Sequence, residues 1–158
     1  MTDTPDHTAP PALPSLHPHL VCAGAADAID FYSRAFGATE MIRLPGPDGR
    51  LVHAAISIQG AMVMLVDEFP EMGGKSPKTL GGTPVTLHLS VPDARAVFDQ
   101  AVDAGATIVA PLEVQFWGDL YGVVEDPFGH QWSIATPGEN APRTSEDLAA
   151  AMQHASGQ

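Results

Sequence analysis

The sequence predicts an α+β fold of two tandem βαβββ modules whose strands form a curved, mixed-sheet cup. Three observations carry that expectation. Each half of the chain opens on a short strand with a central histidine: His17-Pro18-His19-Leu20-Val21-Cys22, and Thr86-Leu87-His88-Leu89-Ser90-Val91. Each strand leads into an amphipathic segment that ends in the same tripeptide, Gly37-Ala38-Thr39 and Gly105-Ala106-Thr107. The halves also keep register, since His19 and His88 lie 69 residues apart and Gly37 and Gly105 lie 68 apart. Self-similarity of that kind marks a repeated supersecondary unit.

Taken in order, residues 1–15 hold four prolines and almost no large apolar side chain, and are expected to form a disordered tail. A single domain over 16–136 follows, made of modules 16–66 and 84–136. In the first module Ile29, Tyr32, Ala35 and Phe36 recur at helical spacing, and Gly37 suits a left-handed helix end. Strand-like runs then cover Glu40–Leu44, Leu51–Ile58 and Ala61–Val66, separated by turns at Pro47-Asp48-Gly49 and Gln59-Gly60. The loop 67–83, rich in glycine and proline, reads as a linker or mobile loop. In the second module the helical set is Ala94, Val97, Phe98, Ala101 and Val102. Strands are expected over Ile108–Leu112, Leu120–Glu125 and His130–Thr136. Asp126-Pro127-Phe128-Gly129 joins the last two as a structural turn. The extension 137–158 carries a short helix that Thr144 can cap.

Composition narrows the function. The chain has 158 residues, long enough to bury a core without a metal or disulfide staple. Its 19 acidic and 7 basic residues give a formal charge of −12. Such a surface repels phosphate backbones and anionic lipid, so neither nucleic acid nor membrane is an expected partner. The single cysteine, Cys22, excludes an intramolecular disulfide and a Cys-rich zinc site. No signal peptide or membrane span is visible at the start of the chain or within it, and a cytoplasmic protein is expected.

Strand alternation selects the candidate site. In Leu51–Ile58, Val52, Ala54, Ile56 and Ile58 form the packing set, leaving Leu51, His53, Ala55 and Ser57 on the inward face. Val85, Leu87, Leu89 and Val91 pack in the next such strand, while Thr86, His88 and Ser90 face inward. Four of the seven histidines, His17, His19, His53 and His88, thus fall on the inward faces. Met62 and Met64 alternate on a strand face and can line an adaptable wall. Phe116, Trp117 and Tyr121 sit with two glycines between strands, as a pocket lip.

Several motifs then resemble a known family. Ile29-Asp30-Phe31-Tyr32 and Glu125-Asp126-Pro127-Phe128-Gly129-His130, on the doubled βαβββ plan, resemble the vicinal oxygen chelate superfamily of glyoxalase I, extradiol dioxygenases and bleomycin-binding proteins. Ala35-Phe36-Gly37-Ala38, His53-Ala54, Phe116-Trp117-Gly118-Asp119 and Trp132 are similar to its PhnB-like branch. The resemblance implies the glyoxalase/bleomycin-resistance fold, and four metal-ligand positions that fall at His17, Met64, Thr86 and Ser133. Thioether and hydroxyl groups are poor ligands for Zn²⁺, Ni²⁺ or Fe²⁺, so no metal and no other cofactor is expected. Nor does a Gly-rich nucleotide loop follow the first strand. The leading expectation is a homodimeric, metal-free binder of a small organic molecule. Its ligand-binding residues are His17, His19, His53, Met62, Met64, Thr86, His88, Phe116, Trp117, Tyr121 and Ser133. The alternative is a metal-dependent or His-based lyase or isomerase of glyoxalase type, with His53 or His88 as general base.

Overall fold

The computed structural model describes residues 16–157, so the expected tail over 1–15 lies outside the described residues. Strand β1 (His19–Cys22), helix α1 (Ala25–Phe36) and strands β2 (Thr39–Pro45), β3 (Leu51–Ile58) and β4 (Ala61–Asp67) build the first sheet and its helix. Helix α2 (Pro77–Leu80) lies between the halves. Strand β5 (Thr86–Ser90), helix α3 (Ala94–Ala104) and strands β6 (Thr107–Val114), β7 (Leu120–Glu125) and β8 (Gln131–Thr136) repeat the plan, and α4 (Ser145–Ser156) follows. The strand orders are β1-β4-β3-β2 and β5-β8-β7-β6. In each sheet the first strand runs parallel to the last, and the remaining pairs are antiparallel. The fold is therefore α+β, two four-stranded mixed sheets with helices, as the repeat predicts.

Helix α1 buries the expected stripe of Ile29, Tyr32, Ala35 and Phe36. It ends at Gly37, whose φ of 65° lets its N–H reach back to the Ser33 carbonyl. Its start has no cap of its own. Asp67, at the far end of β4, supplies one: Oδ1 accepts from the N–H groups of Gly24 (3.0 Å) and Ala25 (2.8 Å), and Oδ2 from that of Leu51 (2.7 Å). The equivalent place in the second half is Thr136, whose Oγ1 accepts from Ala94 N–H (2.7 Å) and donates to the Val91 carbonyl (2.9 Å). Two unlike residues thus solve one problem, the orphan donors at a helix start.

One core joins the halves. Phe36 and Tyr32 of α1 pack on Trp132 of β8 at ring separations of 4.7 and 5.3 Å, and Phe31 meets Phe128 at 6.2 Å. At its centre lies the buried carboxylate of Asp126. Oδ2 accepts from Tyr32 Oη (2.6 Å) and Trp132 Nε1 (2.9 Å), while Oδ1 accepts from the N–H groups of Phe128 (2.9 Å) and His130 (3.0 Å). The Asp-Pro-Phe-Gly turn is structural, and it is also the grip of the second half on the first. Gly122 is needed on β7, because a Cβ there would stand 2.7 Å from the Phe98 ring and 2.9 Å from the Leu112 Cα.

Three expectations fail. Val52, assigned to the core, is 43% exposed, and Leu51, assigned to the inward face, is 3% exposed. Pairing steps from Leu44↔His53 to Pro45↔Leu51, so Val52 is a bulged residue and reverses the parity before it. Val85, also assigned to the core, precedes β5 and is 59% exposed. Nor is 67–83 bare loop. It holds a 3₁₀ turn (Pro70–Met72) and α2, whose start is capped by Ser76 Oγ and braced by Glu68 on Ser76 N–H (2.9 Å) and Thr79 Oγ1 (2.7 Å).

Candidate functional site

Helices α1 and α3 each cover one face of their own sheet; on the opposite face Ser133 and Ala135 of β8 are buried, while side chains of β5 stay accessible. In β5 the pleat turns Leu87 and Leu89 toward the core and leaves Thr86, His88 and Ser90 exposed. Register places His88 opposite Ser133 of β8, and His88 Nδ1 lies 2.8 Å from the buried Ser133 Oγ. That bond fixes the ring plane. Tyr121 of β7 stacks on His88 at 6.2 Å and 19° between planes. Trp117, in the β6–β7 turn, meets Tyr121 edge-on at 5.6 Å, and Phe116 meets Trp117 at 4.9 Å. The turn is itself held by Gln115 N–H on the Asp119 carbonyl (2.9 Å) and Gly118 N–H on the Gln115 carbonyl (2.8 Å). The product is a ledge of four rings, from Phe116 to His88, with hydroxyls of Thr86 and Ser133 at one end.

The first sheet carries a second group. His19 lies opposite Met64, and the His19 and His53 rings meet edge-on at 6.3 Å. Met62, Met64 and His53 are half-buried there. His17, half-buried, precedes β1 and stands in no strand. Six of the eleven expected residues therefore gather on the second sheet and four on the first. Ring contacts run within each group and not between them.

The donor chemistry does not fit a resident divalent metal. Across from Met64 stands His19, and across from Ser133 stands His88, so each pair offers one imidazole and no carboxylate. Among the described residues no three or more His, Cys, Asp or Glu side chains converge as ligands. Cys22 is no nucleophile either: burial first, then the nearby Asp126 and Asp67 carboxylates, push its thiol far above the ordinary value.

Sequence reasoning missed one feature outright. A crevice of about 350 Å³ opens between β1 and β5 under the 75–84 stretch, and of the expected site residues only His19 lines it. No periodicity could reveal it, because its walls come from segments distant in the chain. No helix among the described residues is long and apolar enough to cross a membrane.

Comparison with known proteins agrees with this architecture. The family model for the Glyoxalase/Bleomycin resistance protein/Dioxygenase superfamily matches residues 5–134. The uncharacterized protein Mb0911c of Mycobacterium bovis is 61% identical over 127 residues, covering 78% of this chain and 84% of its own length. Among solved structures, TioX from Micromonospora sp. ML1 superposes with a TM-score of 0.61 at 27% identity, over 78% of this chain and 95% of that one. The Arabidopsis thaliana gene product At5g48480 gives 0.60 at 29% identity, over 78% and 99%.

Proposed function

The chain belongs to the glyoxalase/bleomycin resistance protein/dioxygenase superfamily, and from that premise we propose that it binds a small organic molecule on the aromatic ledge of its second sheet, without a metal. The contiguous series of rings Phe116, Trp117, Tyr121 and His88, edge-on at its first two contacts and stacked between Tyr121 and His88, carries the reading. The rings offer aromatic contact to a planar ligand, Thr86 and His88 offer hydrogen bonds at the end of the series, and the buried Ser133 hydroxyl orients His88. The net charge of −12 favours the approach of cationic compounds, which accords with sequestration of a drug-like or natural-product ligand. The motifs quoted from the sequence favour the PhnB-like branch, and a cytoplasmic site of action accords with them.

Titrating the protein with bleomycin and with planar bicyclic heteroaromatics tests the reading by Trp117 fluorescence, since Trp132 is only 3% exposed. The expected result is quenching by at least one compound and a rise in Tm, with affinity, read by calorimetry for both proteins, about tenfold weaker in Trp117→Ala. Absence of any shift at high ligand excess, or equal binding by Trp117→Ala, overturns it.

A homodimer is part of the same proposal. The open faces, with Ile42 at 52% and Leu44 at 53% exposure on β2, present apolar surface that a second copy can cover. Light scattering at micromolar concentration is expected to give twice the chain mass, and a monomer there would refute the dimer.

A further inference from the structure

We propose that the crevice between β1 and β5 is a second binding site, for a compact apolar molecule bearing one carboxylate. Its volume of about 350 Å³ stands at the small end of ligand pockets, roughly 300–1,000 Å³. The walls are apolar: Leu20 from β1, Leu80 from α2, Val85 just before β5 and Leu87 within it. Among the described lining residues, histidines aside, Lys75 carries the one charged side chain. Among the described residues no acidic side chain lines the crevice, in a protein whose formal charge is −12. Local charge and global charge therefore have opposite signs, and an ammonium at an apolar cleft recognises an anion with a hydrocarbon body.

The neighbouring acids do not neutralise that lysine. Glu68 is engaged by Ser76 N–H and Thr79 Oγ1, and Glu71 by Arg50 Nη2 at 2.7 Å. The ion pairs among the described residues use Arg43 and Arg50, leaving Lys75 outside them. The floor is also preformed. His130 Nε2–H donates to the Val21 carbonyl at 2.9 Å, which ties the start of β8 to the outer edge of β1. The capped α2 holds Leu80 over the opening. Neither β1 nor β5 has a ladder partner on its outer edge, so no main-chain ladder spans the crevice.

Calorimetric titration with decanoate, decan-1-ol and decylamine tests the site. Decanoate is expected to bind best and decylamine not at all. Lys75→Glu should weaken decanoate about tenfold or more, as loss of a charge-assisted contact does. Leu80→Trp, at a position 65% exposed and so tolerant of change, should fill the crevice and abolish binding while Tm holds. Equal heats for the three probes, or decanoate binding unchanged in both variants, overturns the proposal. Trp117→Ala separates this site from the aromatic ledge: decanoate binding lost there and kept in Lys75→Glu would place the acid on the ledge and refute the crevice.

Discussion

Asp126→Ala is expected to cost the fold about 4–5 kcal/mol, the range of a broken buried network, and to lower Tm by roughly 10–20 °C. The substitution leaves four donors without an acceptor: the Tyr32 hydroxyl, the Trp132 indole N–H and two backbone N–H groups. Each buried orphan costs about 1–3 kcal/mol, partly relieved by water entering the gap. Asp126→Asn is expected to be milder. Its carbonyl can keep the two backbone donors, and the Tyr32 hydroxyl can turn to accept, but the Trp132 N–H then faces an amide N–H. Chemical denaturation of the two variants and of Tyr32→Phe measures the ranking, and an Ala variant within 1 kcal/mol of the parent would contradict it. The same network leaves a mark at high pH. Burial first, then the Asp126 carboxylate, hold the Tyr32 phenol protonated well above its ordinary value of 10.0. Its contribution is intact below pH 10. Above that the unfolded chain releases the proton while the folded chain retains it, so stability falls as pH rises. Tyr32→Phe should flatten that alkaline limb.

Asp67→Ala should cost about 3 kcal/mol, for three backbone N–H groups lose their acceptor at once. Two of them open α1, so the loss includes a helix cap as well as the tie to β3. Asp67→Thr is the informative comparison. Thr136 already performs the capping half of this role in the second module, but a hydroxyl cannot also serve Leu51. The Thr variant should therefore recover part of the lost stability and never all of it. Thermal unfolding of both variants decides the matter, and equal stability of Thr and Ala would show that the cap contributes nothing.

Period-two patterning was sufficient wherever the pleat is regular. It placed Thr86, His88 and Ser90 on the open face of β5, since no bulge interrupts that strand. It failed at Leu51 and Val52, where one inserted residue in β3 reverses every face assignment toward the turn. The helical stripe of α1 was equally legible, because its burial follows from spacing alone. What α1 packs against was not. Nothing in the run Ile29 to Phe36 announces a partner at Trp132, and Asp67 carries no local sign that it caps a helix 42 residues earlier. The ledge was half legible: its residues could be listed from alternation and turn chemistry, but the order of ring contacts depends on cross-strand register. Lys75 and its crevice could not be read at all, as a concavity belongs to the arrangement of segments and not to any one of them.

The bond from Tyr32 to Asp126 spans 94 residues, and this has a consequence for synthesis. At about 5–20 residues per second on the ribosome, its acceptor is polymerised about 5–20 s after its donor. During that interval the first module exists with the aromatic side of α1 uncovered and a phenol lacking its native partner. The nascent half-chain therefore passes through a long, sticky stage, and synthesis of the second repeat, through Asp126 and Trp132, is the event that seals the interior.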